Sequence, residues 1–289
     1  MNLKKIAVVG GDRRQLELAA AYANDGVYVN TYKVQDIKTS NFIFSLPTLN
    51  DTLSDVDICI GPTPFTKDGI NIFSETKPNI TIEEFIGSYP KTVPFFAGSI
   101  TNDVNHRMEK MGIRAYDLME REEFSILNAI PTAEGTIDIA LREMPITISE
   151  SLCLVLGYGR IGKTVSTLLK NMGANVWVSA RKPSDFAWIR SRGMNVLPMS
   201  QLQGFMRYPD LIVNTVPAMI LDKDQIKYLN RNTLIIDVAS GKGGIDSDAC
   251  KTHGIKAIHA SGIPGKIAPR SAALYIMQTI NNILQELNF

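Results

Sequence analysis

Gly157, Gly159 and Gly162 stand at the spacing Gly-x-Gly-x-x-Gly directly after the apolar run Leu152 to Leu156. Chemically, that pattern suits a dinucleotide. Gly157 permits a tight turn, Gly159 lets the backbone approach a pyrophosphate, and Gly162 lets a helix and a strand pack closely. Ile161, Val165, Leu168, Leu169 and Met172 follow at helical spacing, Gly173 marks the helix end, and a second strand is expected from Asn175 to Ser179. The N–H groups at the head of such a helix face an anion. The expected cofactor contacts in this turn are therefore Gly157, Tyr158, Gly159, Arg160, Ile161 and Gly162. The alternative is a turn with a structural role alone.

The tip of the second strand selects the cofactor. An NAD site expects a carboxylate about 20 positions on, bonded to the ribose 2′-hydroxyl. Here Ser179-Ala180-Arg181-Lys182 offers a hydroxyl and two cations. Arginine grips phosphate through paired hydrogen bonds, so NADP is favoured. NAD is the alternative, should Asp185 reach back to the ribose. Thr215, Val216 and Pro217, and then Ala239, fall at later strand ends where loops would pass over the dinucleotide.

Other residues suit an anionic substrate. Arg13 and Arg14 follow Gly10-Gly11-Asp12, with Asp12 as the expected N-cap of a helix whose Leu16, Ala19, Ala20 and Ala23 share a face. A helix dipole disfavours cations at that end, and an anionic ligand would account for them; solvated surface arginines are the plain alternative. Pro131 suits the first turn of a further helix, which would place Thr132 and Glu134 at its head. Lys266 and Arg270 lie in a stretch rich in glycine and proline, Ala260 to Arg270, where exposed loop charges are the plain alternative. His106 reads as exposed, and His259 as a strand-end residue rather than a base.

Composition narrows the class. The chain has 289 residues, 45% of them apolar, and a formal net charge of +1. That balance supplies no basic field for nucleic acid, and no stretch approaches the roughly 20 apolar residues of a membrane helix. Cys59, Cys153 and Cys250 are far apart and read as reduced core residues, so no metal is expected.

These residues need a scaffold. Ile6 to Val9, Val27 to Lys33, Val56 to Gly61, Val93 to Gly98 and Ile113 to Leu118 read as strands. Past the glycine turn, Val196 to Pro198, Asp210 to Asn214, Leu234 to Val238 and Lys256 to His259 continue the series, with helical segments between. The expected fold is α/β, with two doubly wound parallel-sheet domains, the second a Rossmann NAD(P)-binding domain. A joining helix is expected at 131–149 and the dinucleotide domain at 150–268. Ala273, Ile276, Met277, Ile280, Ile283, Leu284 and Leu287 form the apolar stripe of a terminal helix.

Taken in order, Gly10-Gly11-Asp12 with Arg14-Gln15-Leu16, Pro131-Thr132 with Glu134-Gly135, Leu156-Gly157-x-Gly159-Arg160, Asn214-Thr215 with Pro217, Gly262 with Pro264-Gly265, and Ala268-Pro269 resemble the A-type chain of bacterial dipicolinate synthase over essentially the whole chain. The resemblance implies a terminal helix that rejoins the first domain, making it residues 1–130 plus 269–289. It also implies a cytosolic, NADP-linked subunit in the mother cell of a sporulating bacterium. That subunit would oxidise a dihydro- or tetrahydro-dipicolinate precursor to the aromatic dicarboxylate, alongside a flavoprotein-like B subunit, and a homo-oligomer is expected. Two carboxylates need two cationic anchors, which Arg13 or Arg14 and Lys266 or Arg270 would supply, with Thr132 nearby and Glu134 as the base. Gly241-Lys242 stands where an arginine–proline pair belongs. The alternatives are an NADP-dependent 2-hydroxyacid or imine reductase and a non-catalytic NADP-sensing subunit.

Overall fold

Strands buried on both faces read as unbroken apolar runs, and this chain has many of them. The computed structural model describes residues 3–241 and 243–289. Lys242, half of the Gly241-Lys242 pair, lies outside the described residues. The chain divides into two compact units, one reaching to Asn128 and including Ala268–Phe289, the other Ala129–Ile267.

The first unit contains β1 (Lys5–Val9), α1 (Arg13–Asn24), β2 (Tyr28–Tyr32), β3 (Ile43–Ser45), α2 (Leu49–Leu53) and β4 (Ile58–Ile60). It continues through α3 (Ile82–Ser88), β5 (Phe95–Ala97), α4 (Asn102–Lys110) and β6 (Ala115–Asp117) into the start of α5 (Glu122–Glu143). The second unit carries β7 (Leu152–Leu156), α6 (Arg160–Asn171), β8 (Asn175–Ala180), α7 (Pro183–Ser191), β9 (Asn195–Pro198) and α8 (Leu202–Phe205). Then come β10 (Leu211–Asn214), α9 (Lys223–Ile226), β11 (Leu234–Asp237), α10 (Ser247–His253), β12 (Lys256–His259) and α11 (Ile263–Ile267). The last helix, α12 (Pro269–Glu286), returns to the first unit.

Each unit holds one six-stranded sheet, ordered β3-β2-β1-β4-β5-β6 and β9-β8-β7-β10-β11-β12. Every named strand pairing is parallel. In both sheets the order reverses beside the first strand, and beyond the carboxyl ends at that point a ligand finds its crevice. Alternate residues serve opposite faces: Cys153 and Val155 join one apolar cluster, Leu154 and Leu156 another. In the first unit Ala273, Ile276, Ile280, Ile283 and Leu284 of α12 pack with Leu18 and Tyr22 of α1. Arg121 secures the end of that helix with two hydrogen bonds to the Glu286 carboxylate, 2.7 and 2.6 Å.

Four local expectations are corrected. Strand β3 has no counterpart in the sequence reading. Helix α1 centres its buried face on Arg14, Gln15, Leu18, Ala19 and Tyr22, with Leu16 and Ala23 of the expected face only half-buried against the same core. The joining helix at 131–149 is instead the middle and end of α5, and Pro131 lies inside it rather than in its first turn. A proline there forfeits one backbone hydrogen bond. The helix persists because its apolar residues are spoken for on both sides of the proline, with Phe124 in a core cluster of the first unit and Ala133, Ile137 and Ala140 in one of the second. Finally, the Ala260 to Arg270 stretch is not all loop, since it winds into α11 and the start of α12.

Gly135 fixes how α5 meets α11. A Cβ there would stand 2.2 Å from Ile263 Cγ2 and 2.9 Å from Ile267 Cγ1. Alanine in place of glycine normally stabilises a helix interior by up to about 1 kcal/mol. Here the clash reverses the sign, and Gly135→Ala is expected to cost about 1–3 kcal/mol. Urea denaturation checks this, and a midpoint raised by the substitution would contradict it.

Candidate active site

The glycine turn follows β7. Gly157 has φ +95°, and its N–H donates to the Ser179 carbonyl at 2.8 Å, tying the turn to β8. A Cβ on Gly157 would meet Thr215 Oγ1 at 2.6 Å and Val216 Cγ2 at 2.8 Å. One on Gly162 would lie 2.3 Å from the Gly157 carbonyl oxygen. Gly159 differs from both. It is the N-cap of α6, has extended backbone and no capping side chain, and its Cβ position opens into space with nothing within 4 Å. Two glycines are thus required by protein atoms and the third is not. The first turn of α6 also carries no acid, so an uncapped helix head beside an open glycine fits the diphosphate of a dinucleotide.

Around this turn the side chains take distinct places. Tyr158 is buried, and its hydroxyl accepts a hydrogen bond from Arg192 Nη1 at 3.3 Å, so only its backbone is available to a phosphate. Arg160 is exposed and Ile161 half-buried. Thr215 donates its hydroxyl to the Leu156 carbonyl at 2.8 Å, which presses the β10 loop against the turn and brings Val216 beside Gly157, with Pro217 exposed beyond.

At the tip of β8, Ala180 is buried while Arg181 and Lys182 are exposed. Ser179 is corrected: it is fully buried and its hydroxyl donates to Met199 Sδ at 2.8 Å, turned away from any ribose. Both faces of this sheet are covered, and Ser179 shares the face of Trp177, where Met199 packs over it. Asp185 sits in the first turn of α7, where a helix dipole welcomes a carboxylate.

The substrate candidates are spread over both units. Arg13 is exposed, but Arg14 is only 4% exposed. Its Nε and Nη2 bond the two oxygens of Asp12 at 2.9 and 2.8 Å, and Nη2 also donates to the Thr63 carbonyl. Arg14 therefore clasps the loop after β4 to the head of α1 instead of standing open for a ligand. Burial pushes the Asp12 carboxyl up, but the hydrogen bonds and charge of Arg14 outweigh it and hold it below the usual carboxylate range. Thr132 is buried. Glu134 is exposed in mid-helix, so the helix-head position on which its reading as a base rested is absent. Lys266 and Arg270 are exposed, with Lys266 Nζ 3.0 Å from the Ser261 carbonyl. Among the described residues no three His, Cys, Asp or Glu side chains converge to hold a metal.

One constellation went unread in the sequence. Asn214, Asp237 and His259 end β10, β11 and β12 and stand in one register row. Asp237 Oδ1 accepts from Asn214 Nδ2 at 2.9 Å and from the Ala239 N–H at 3.1 Å. Ala239 itself is buried. The only available signal was a polar residue closing each of three apolar runs.

Comparison with known proteins resolves the family. Residues 5–119 match the N-terminal domain of the dipicolinate synthase A-type chain, and residues 132–252 match the NAD binding domain of D-isomer specific 2-hydroxyacid dehydrogenases. Over 290 aligned residues the chain is 30% identical to the A-type chain of dipicolinate synthase from Bacillus subtilis strain 168, covering 98% of this chain and 96% of the relative. The chain belongs to the family of dipicolinate synthase A-type chains. Crystal structures of the dipicolinate synthase A-type chains of Bacillus halodurans and Bacillus subtilis both superpose with a TM-score of 0.87 at 28% identity, covering 97% and 100% of this chain and 97% and 98% of theirs. A transhydrogenase from Sinorhizobium meliloti, TM-score 0.70 at 14% identity over 98% of this chain and 94% of that one, shares the fold. As a dipicolinate synthase A-type chain with a dehydrogenase NAD-binding domain, the protein has an oxidoreductase role and takes a nicotinamide dinucleotide. Among the described residues no helix is long and apolar enough to cross a membrane.

Proposed function

We propose that this chain oxidises a dihydro- or tetrahydro-dipicolinate precursor to dipicolinate with NADP, in concert with a B subunit. The substrate and the partnership follow from the names of its relatives. The choice of NADP rests on one observation: Arg181 and Lys182 are the exposed side chains at the tip of β8, with no carboxylate in the tip itself. Exposed guanidinium and ammonium groups suit a 2′-phosphate, and their desolvation on binding stays modest. Bound NADP would supply the hydride acceptor.

The protein's part is to hold and orient. Gly157, Gly159 and Gly162 with the head of α6 would hold the pyrophosphate, and Thr215, Val216, Pro217 and Ala239 would shape the loops at the adjoining strand ends. Arg13 and Arg270 in the first unit and Lys266 in the second are exposed cations, each proposed as an anchor for a substrate carboxylate. Arg14 supports Arg13 by fixing the head of α1.

Arg181→Asp is expected to weaken NADPH binding at least about 10-fold, since one charge-assisted phosphate contact is worth roughly 1.5–3 kcal/mol, while NADH binding changes little. Fluorescence titration with both cofactors checks it; equal NADPH affinity in variant and wild type would overturn the 2′-phosphate assignment. The reaction itself is checked by following NADPH formation from the dihydrodipicolinate pool with the B subunit present. Binding without turnover would favour a sensing role instead.

A further inference from the structure

The row that closes β10, β11 and β12 holds more than a loop in place. Asp237 is buried, with its side chain 6% exposed, whereas the His259 side chain is 40% exposed. Three N–H groups hold the carboxylate: Asn214 Nδ2 and the Ala239 N–H on Oδ1, and the Gly244 N–H on Oδ2 at 2.9 Å. A carboxylate has about four acceptor sites, and one on Oδ2 is left. The His259 ring stands nearby, its Nδ1 3.8 Å from Oδ2, just beyond hydrogen-bond reach.

The chain keeps this direction clear. Gly243 has φ +76°, and a Cβ on it would lie 2.2 Å from Asp237 Oδ2 and 3.2 Å from His259 Nδ1. Gly244 is equally constrained, with its Cβ position 2.8 Å from Asn214 Nδ2. Two successive glycines thus let the loop close over the carboxylate without displacing the ring.

Position gives the row its meaning. Asn214 pairs in register with Leu156, the residue before the glycine turn. In the sheet order β8 lies on one side of β7, and β10, β11 and β12 lie on the other. A dinucleotide whose 2′-phosphate meets Arg181 at the tip of β8 must extend its other half across the strand ends on the opposite side of β7. That is where Asn214, Asp237 and His259 stand. A partly exposed imidazole with one nitrogen facing a buried, hydrogen-bonded carboxylate has the arrangement of a general base and its orienting acid. Such contacts are commonly longer before substrate arrives.

We propose that His259 accepts the ring proton released during substrate oxidation, and that Asp237 is the positioning residue that orients its imidazole. This rests on the dihydrodipicolinate oxidation proposed above. Aromatisation breaks two bonds to hydrogen on neighbouring ring atoms. One hydrogen leaves with its electron pair to the nicotinamide cofactor; the other leaves as a proton to His259 Nε2, and its bonding pair becomes a ring double bond. The imidazolium faces Asp237 and passes its proton to water through its exposed edge.

The experiment compares wild type, His259→Asn and His259→Gln, all with the B subunit and NADP. The urea midpoint and circular dichroism of each variant should match wild type, which shows the unit is folded. Turnover is expected to fall at least about 100-fold, the usual contribution of a positioned base. Asp237→Asn should lower kcat roughly 10-fold or more with KM nearly unchanged when rates are referred to the active sites counted by NADPH stoichiometry, which separates lost orientation from an unfolded fraction. An independent readout uses the imidazole NMR signals, of which the chain has three, from His106, His253 and His259. His259→Asn identifies its own signal by loss, and dipicolinate added to the NADP-loaded wild type should shift it.

Turnover of both His259 variants within about threefold of wild type overturns the assignment, since a base contributes far more than that. So does an imidazole signal that ignores dipicolinate while wild type is active. A wild type that binds NADPH but never oxidises the substrate overturns the proposed reaction, and the base assignment with it.

Discussion

Gly159→Ala is expected to cost only about 1 kcal/mol of stability and to weaken NADPH binding, while Gly162→Ala damages both more severely. The two positions lie in one turn but answer to different neighbours. At Gly159 the Cβ would enter open space from an extended backbone, so the fold loses only the N-cap preference of glycine over alanine, about 1 kcal/mol. A pyrophosphate resting there would meet the added methyl directly, and a clash worth about 1–3 kcal/mol lowers affinity roughly 5- to 150-fold. At Gly162 the Cβ would sit 2.3 Å from a backbone oxygen that cannot rotate away. The turn and α6 must then separate, at a similar or greater cost in stability and with a larger loss of affinity. Urea midpoints and NADPH titrations on the same preparations give both numbers. Wild-type affinity in Gly159→Ala would mean that no phosphate passes over this turn.

The glycine turn was legible because its information is local. A run of five apolar residues, three glycines and a helical stripe lie within one stretch, and each agrees with the others. Strand β3 was not, because Ile43–Ser45 is short and its Phe44 and Ser45 are exposed, leaving no apolar run to see. Pro131 misled for a related reason. Proline preferences describe a helix by itself, whereas α5 is held by core contacts contributed before and after residue 131. Ser179 had the right residue type near the right strand tip, but Met199, twenty residues on, covers it and takes its hydroxyl hydrogen bond. The row of Asn214, Asp237 and His259 is a property of strand register, which joins residues far apart in the chain and has no signature in any one segment.

Arg14 is the sharpest case, because its position after Gly10-Gly11-Asp12 suggested a ligand and the structure gives it an internal partner. Arg14→Ala is expected to destabilise the first unit by about 3–5 kcal/mol, the usual cost of leaving one member of a buried ion pair unpaired. Asp12 would remain in its buried place, having lost the guanidinium and keeping only the backbone N–H of residue 14 and the charge of Lys67 to favour its ionised form. The dependence on pH has a definite sign. In wild type the Asp12 carboxyl titrates below its unfolded value of about 3.9, so the pair's contribution is complete above that pH and is lost as pH falls through the lower, folded value. In Arg14→Ala burial dominates and raises the folded value, so Asp12 opposes folding increasingly as pH rises past about 4. The stability gap between the two proteins should therefore be widest near neutral pH and narrow on acidification. Denaturation in urea at about pH 7 and about pH 4 measures it. A gap of the same size at both would mean that lost packing of the arginine stem, not the charge pair, accounts for the defect. Arg14→Lys should recover only part of the stability, because an ammonium cannot reproduce the fork that meets both Asp12 oxygens and the Thr63 carbonyl at once.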